Sequence, residues 1–318
     1  MHTRPGLVRF GIGLGIGLGI GAAMAVAASA CGGREVATGV ATGVAPTVAT
    51  AVATITAGVD RTAASPGSPV VITYRIAPQD GATVPDGLWM FVHLVDEQGG
   101  ILWTDDHAPS VPSGQWRAAV PIAYARTTFV PRTPYTGRVS VDVGLFEPAT
   151  GARFGLTGTD LGMATYRIAG FSVQPSADDV FIVFGEGWHD AETGGGTLGT
   201  SWRWTRGSAA LSFRNPGTRN PGTSATVLLD LDRPVGQSAD PSHVEVRIGD
   251  QIVGAFDVSG ARTIQAIALP QAVMGSAPTV ELRLAVRPTF VPAALPQLRS
   301  IDSRELGVRV FNAYVAPD

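Results

Sequence analysis

Residues able to do chemistry fall in three places along this 318-residue chain. The first is His93 with Asp105, Asp106 and His107. Imidazole and carboxylate groups brought together hold zinc or another divalent cation. The same residues also suit a buried, hydrogen-bonded His93 and a surface turn at Asp105-Asp106-His107. The second is Glu186, Trp188, His189, Asp190 and Glu192, just ahead of Gly194-Gly195-Gly196. It is read either as an acid–base or metal cluster or as a turn between modules. The third is Trp202 and Trp204, two residues apart and so on one face of a strand, with Trp188 upstream. Exposed, they form a stacking platform for a sugar ring; buried, they are core.

Composition removes several alternatives. All 23 basic residues are Arg, which excludes a lysine Schiff base, a lysine general base and a phosphate-loop lysine. The single cysteine, Cys31, excludes an intrachain disulfide, a zinc site with two or more cysteines and a cysteine-held iron–sulfur cluster. No Gly-x-Ser-x-Gly elbow, His-Glu-x-x-His pair or dinucleotide-binding glycine run follows a strand. No catalytic residue and no cofactor is therefore assigned, and the chain is expected not to be an enzyme.

The elements that position these residues begin with an export signal. Arg4 and Arg9 precede an acid-free apolar stretch from Phe10 to Ala27, then Ala28-Ser29-Ala30 and Cys31, the order of a cleaved signal. Without residues 1–30 the chain carries 21 Arg against 26 acidic residues, a net charge of −5. That argues against nucleic acid as a partner. Residues 31–53, rich in repeated Val-Ala-Thr-Gly, read as a low-complexity tether.

Beyond the tether the apolar pattern has period two. Val70, Ile72, Tyr74 and Ile76 alternate with Val71, Thr73 and Arg75, and Leu88–Val95 reads as a central strand. Ile101–Thr104 returns from a turn at 96–100, placing His93 opposite Trp103 or Thr104. Val139, Val141, Val143 and Leu145 alternate with Ser140 and Asp142, which predicts a strand with one wet face. Val244–Ile248 turns at Gly249-Asp250 and runs back, and Val280–Val286 and Leu306–Val315 alternate likewise. Arg214-Asn215-Pro216-Gly217-Thr218 is copied at once as 219–223, read as a lengthened hairpin loop. The fold class expected is all-β: two β-sandwich domains, 54–175 and 176–318.

Two resemblances add to this reading. Small residues followed directly by Cys31 resemble the lipobox of bacterial lipoproteins, which implies lipid on Cys31, a membrane as partner and residence in the cell envelope; Ala28 stands where that family more often has Leu. The hairpin His243–Asp250 and the segment Asp302–Val308 resemble galactose-binding-like, jelly-roll sandwiches of bacterial surface proteins. Phe91–Asp96 with Asp105-Asp106-His107 resembles immunoglobulin-like surface domains. Together they imply a membrane-anchored, non-catalytic module binding polysaccharide or an envelope protein. The alternatives are a scaffold subunit of an envelope assembly and a metal-dependent hydrolase.

Overall fold

The computed structural model describes residues 51–175, 181–194, 200–234 and 241–318. All of these belong to one compact unit, Val48–Asp318. The signal segment 1–30, Cys31 and most of the tether lie outside the described residues. The last of the tether is not linker: Val52 and Ala53 are buried, and Ala53 opens the first strand.

Nine strands build the first sandwich: β1 (Ala53–Val59), β2 (Ala63–Ala64), β3 (Pro69–Pro78), β4 (Trp89–Val95), β5 (Ile101–Thr104), β6 (Ile122–Phe129), β7 (Gly137–Phe146), β8 (Arg153–Phe154) and β9 (Tyr166–Val173). One sheet runs β1-β3-β6; the other runs β2-β9-β7-β4-β5, with β8 on β7. On β3, Val70, Ile72, Tyr74 and Ile76 are fully buried while Thr73 and Arg75 face water, as alternation along a pleated strand requires. They pack against Val92, Leu94, Val139, Val141 and Val143 of the facing sheet.

The wet face expected on β7 is absent. Ser140 and Asp142 are buried, and β7 is an interior strand flanked by β4 and β9. Asp142 meets that environment through Arg167 on β9, which donates from Nε and Nη2 at 2.8 and 2.9 Å.

Among the described residues ten strands and one short α-helix follow: β10 (Ile182–Phe184), β11 (Glu192–Thr193), β12 (Ser201–Trp204), β13 (Ser208–Arg214), β14 (Ala225–Asp232), β15 (Ser242–Ile248), β16 (Gln251–Val258), β17 (Thr263–Leu269), α1 (Gln271–Met274), β18 (Thr279–Arg287) and β19 (Arg309–Pro317). They form sheets β10-β13-β18-β15-β16 and β11-β12-β19-β14-β17 around a core of their own. The inward residues of β14 and β18, such as Leu229 and Leu282, are essentially excluded from water. Each contributes about 1.5–3 kcal/mol through that burial. Among the described residues no helix is long and apolar enough to cross a membrane.

The duplicated segment joins β13 to β14, which lie in different sheets, so it is a crossover rather than a hairpin loop. Its two copies differ. Asn215 is fully buried; its Oδ1 accepts from Gly217 N, and its Nδ2 donates to the Gly275 and Ala277 carbonyls at 3.0 and 2.9 Å. Asn220, the same residue in the second copy, is exposed. Asn215→Ala should therefore cost about 1–3 kcal/mol by stranding buried partners. Asn220→Ala should stay within about 0.5 kcal/mol of wild type. Urea denaturation of the two variants checks this, and equal effects would contradict it.

Candidate binding cleft

The outward face of β14 carries acids in an otherwise apolar strand, at Asp230 and Asp232. Its neighbour β19 pairs with it through a register shift at Asp230/Leu231, leaving Phe311 as the extra residue. That bulge bends the strand and brings Arg309, Phe311 and Asn312 toward the same face. Arg309 grips Asp232 with Nε at 2.8 Å and Nη2 at 2.6 Å. Arg262 grips Asp230 with Nε at 2.7 Å and Nη2 at 2.5 Å, and Asn312 Nδ2 donates to the same carboxylate at 2.8 Å.

Aromatic rings sit against these guanidinium groups. Arg262 lies 3.9 Å from the Phe311 ring centre, and Arg309 lies 4.8 Å from Phe311 and 4.9 Å from Trp202. Such contacts hold the rings as well as the cations. Trp202 is further fixed by its indole N–H, which donates to Glu192 at 3.2 Å; Arg304 ties Glu192 to Asp302.

This face forms one wall of a cleft of about 730 Å³. The other wall comes from the first sandwich: Trp103 of β5, Asp105 just after it, and Arg126 and Phe129 of β6, continued by Arg132. Asp105 and Arg126 form a two-point pair at 2.9 and 2.8 Å. Burial opposes the charge on Arg126, but the Asp105 carboxylate outweighs it and holds the guanidinium pKa above its ordinary value. The cleft thus combines ring faces with oriented donors and acceptors, the combination that orients a polyhydroxylated ligand.

The candidate platform needs correcting in two of its three members. Trp202 lines the cleft, but Trp204 is only 7% exposed, covered by Phe290 at 5.8 Å and by Arg309. Trp188 packs edge-on against Phe184 and donates its N–H to the Ala210 carbonyl, and it does not itself line the cleft. Strand parity puts Trp202 and Trp204 on one face, as expected, but one end of that face is roofed over.

The metal set His93, Asp105, Asp106 and His107 is not gathered. His93 pairs with Thr104, as expected, but its ring leans on Phe91 on the face of β4 away from the core. His107 is buried on the core side, donating from Nδ1 to the Asp105 carbonyl at 2.6 Å and accepting at Nε2 from the Tyr124 hydroxyl at 2.9 Å. Asp106 accepts from the Val92 amide, and Asp105 belongs to Arg126. Among the described residues no group of three or more His, Cys, Asp or Glu could hold a metal ion. The second cluster is dispersed too: Glu186 is exposed, while His189 is buried and donates to the Glu305 carbonyl at 2.7 Å.

Burial, and next the Arg126 charge, push the His107 pKa below its ordinary 6.5, and burial pushes His93 the same way. The folded chain then holds fewer protons than the unfolded chain just below pH 6.5, so stability falls as pH drops through that range. The urea midpoint of the wild type should decline between pH 7.5 and 5.5, and His107→Gln should flatten the slope. A flat wild-type profile would contradict this.

No protein-family profile matches the chain, and no curated protein matches it. Among solved structures it is similar to the N-terminal CBM22-1-CBM22-2 tandem domain of Paenibacillus barcinonensis Xyn10C, at 9% identity and TM-score 0.25, over 80% of each chain. It is similar to carbohydrate-binding modules of the β-sandwich superfamily at 12% identity and TM-score 0.21, over 82% of this chain and 98% of that one. It is also similar to the alkylpurine DNA glycosylase AlkC of Pseudomonas fluorescens at 15% identity and TM-score 0.26, over 39% of this chain and only 31% of the glycosylase. At such TM-scores these likenesses decide nothing about function, and the all-β, two-sandwich architecture rests on the strand pairing itself.

Proposed function

We propose that this protein is a non-catalytic lipoprotein of the cell envelope that binds polysaccharide in the cleft between its two sandwiches. In this reading residues 1–30 are the export signal, Cys31 carries the lipid, and 54–175 and 176–318 are the two modules. The observation that carries the binding role is the Trp202–Phe311 ring surface set beside the Asp230–Arg262–Asn312 cluster. A sugar ring presents C–H groups on its face and hydroxyls at its rim; the rings receive the first, and the carboxylate, guanidinium and amide receive the second.

The test is retention of the full chain, purified in mild detergent, on a panel of immobilised polysaccharides. The expected result is saturable binding of at least one, displaced by the same glycan in solution. Absence of retention across the panel would contradict the reading. A second reading, a scaffold contacting protein, draws on one observation: Phe181 and Val183, on and beside edge strand β10, are 65% and 59% exposed over a shallow depression with Phe213 and Pro278.

A further inference from the structure

The charges lining the cleft do not balance. Among the described residues, four arginines, Arg126, Arg132, Arg203 and Arg262, face two aspartates, Asp105 and Asp230, an excess of two positive charges. The whole chain, in contrast, carries a formal net charge of −3. Each aspartate holds one arginine in a two-point pair: Asp105 holds Arg126 and Asp230 holds Arg262. The other two arginines make no ion pair among the described residues.

Those two stand on opposite walls. Arg132 follows β6 of the first sandwich and is exposed. Arg203 lies on β12 of the second; its Nη1 donates to the His189 carbonyl at 3.1 Å and its guanidinium sits 5.2 Å from the Phe184 ring. Anchoring through one nitrogen and a ring face keeps the side chain in place and leaves further N–H groups able to donate. A guanidinium fork matches the paired oxygens of a carboxylate or sulfate better than it matches single hydroxyls. A neutral sugar packed in the cleft would cover the half-buried Arg203 and crowd the exposed Arg132 without supplying either a counter-charge, which favours an anionic ligand over a neutral one.

We infer that the cleft takes an acidic polysaccharide, one bearing carboxylate or sulfate groups, and that Arg132 and Arg203 read its charges from the two walls. This rests on the polysaccharide-binding reading above and narrows it. Asp105 and Asp230, already neutralised by their own arginines, then serve as acceptors for hydroxyls rather than as repelling charges.

The experiment compares matched glycans that differ in charge alone: polygalacturonate against its methyl-esterified form, and dextran sulfate against dextran. The full chain in detergent is titrated with each at low and moderate salt. Arg132→Ser, Arg203→Ser and the control Arg75→Ser, on an exposed position of β3 outside the cleft lining, are titrated beside it. The expected result is preference for a charged member, weakening with salt, and a loss of about tenfold in each cleft variant with none in the control. Arg132 is exposed, so Arg132→Ser tests the assignment even if Arg203→Ser fails to fold. A carboxylate-only or sulfate-only preference names the group recognised. Equal or stronger binding of the neutral members overturns the acidic assignment while sparing polysaccharide binding, as does an Arg75→Ser effect equal to that of the cleft variants. Binding of no polysaccharide, neutral or charged, removes both.

Discussion

Gly187→Ala is expected to destabilise the second sandwich by about 3 kcal/mol and to disturb the cleft wall with it. Gly187 has φ +82°, a left-handed conformation that costs an alanine about 1–2 kcal/mol. A Cβ there would also lie 1.8 Å from the Ser208 carbonyl oxygen and 2.8 Å from the Ala209 Cα. Both obstacles are backbone atoms of β13 and cannot swing aside, so overpacking adds about 1–3 kcal/mol. The flanking bonds show what would move: Arg206 N donates to the Gly187 carbonyl at 2.8 Å, and Ala210 N donates to Glu186 at 2.9 Å. Two residues on, His189 supplies the carbonyl that anchors Arg203. A urea midpoint measures the loss, and a variant within about 0.5 kcal/mol of wild type would contradict the packing described.

Trp202→Ala is expected to lower glycan affinity about thirtyfold, the equivalent of about 2 kcal/mol. Of the three candidate tryptophans it alone lines the cleft, and its ring is held at both ends, by Glu192 at the indole nitrogen and by Arg309 over the face. Such prior ordering reduces the entropy lost when a ligand stacks on it. Trp202→Phe keeps a ring face and loses the Glu192 bond, so it should retain most of the affinity. Trp204→Ala should behave in the opposite way, removing a buried ring and costing about 3–5 kcal/mol of stability.

Much of the architecture was legible because a pleated strand repeats every two residues. The runs at Val70–Ile76 and Val280–Val286 therefore identify both their strands and their inward faces. The β7 pattern misled because Ser140 and Asp142 look like solvent-facing residues, whereas their burial depends on β9 and Arg167, about 25 residues downstream. Of the cleft, Trp202 was legible as a ring surface, and Asp105 stood out only as a metal ligand. Asp230, Arg309, Phe311 and Asn312 come together through β14–β19 pairing across some 80 residues and a bulge, and Arg262 joins them through β14–β17 pairing, none of which a local pattern reports. One signal did exist: Leu228-Leu229-Asp230-Leu231-Asp232 sets acids on alternate positions of an apolar strand, and Arg309 and Asn312 supply their complement. The histidines match a metal site by residue type alone, whereas His107 serves the core through Tyr124 and the Asp105 carbonyl.

The most direct test of a polysaccharide site in the cleft is calorimetric titration of the wild-type chain and Trp202→Ala with the same retained glycan. Matched thermal midpoints would establish that both are folded. The expected result is saturable binding by the wild type and a loss of about thirtyfold in the variant. Undiminished affinity in a folded Trp202→Ala would place the sugar elsewhere on the molecule and contradict the cleft as its site.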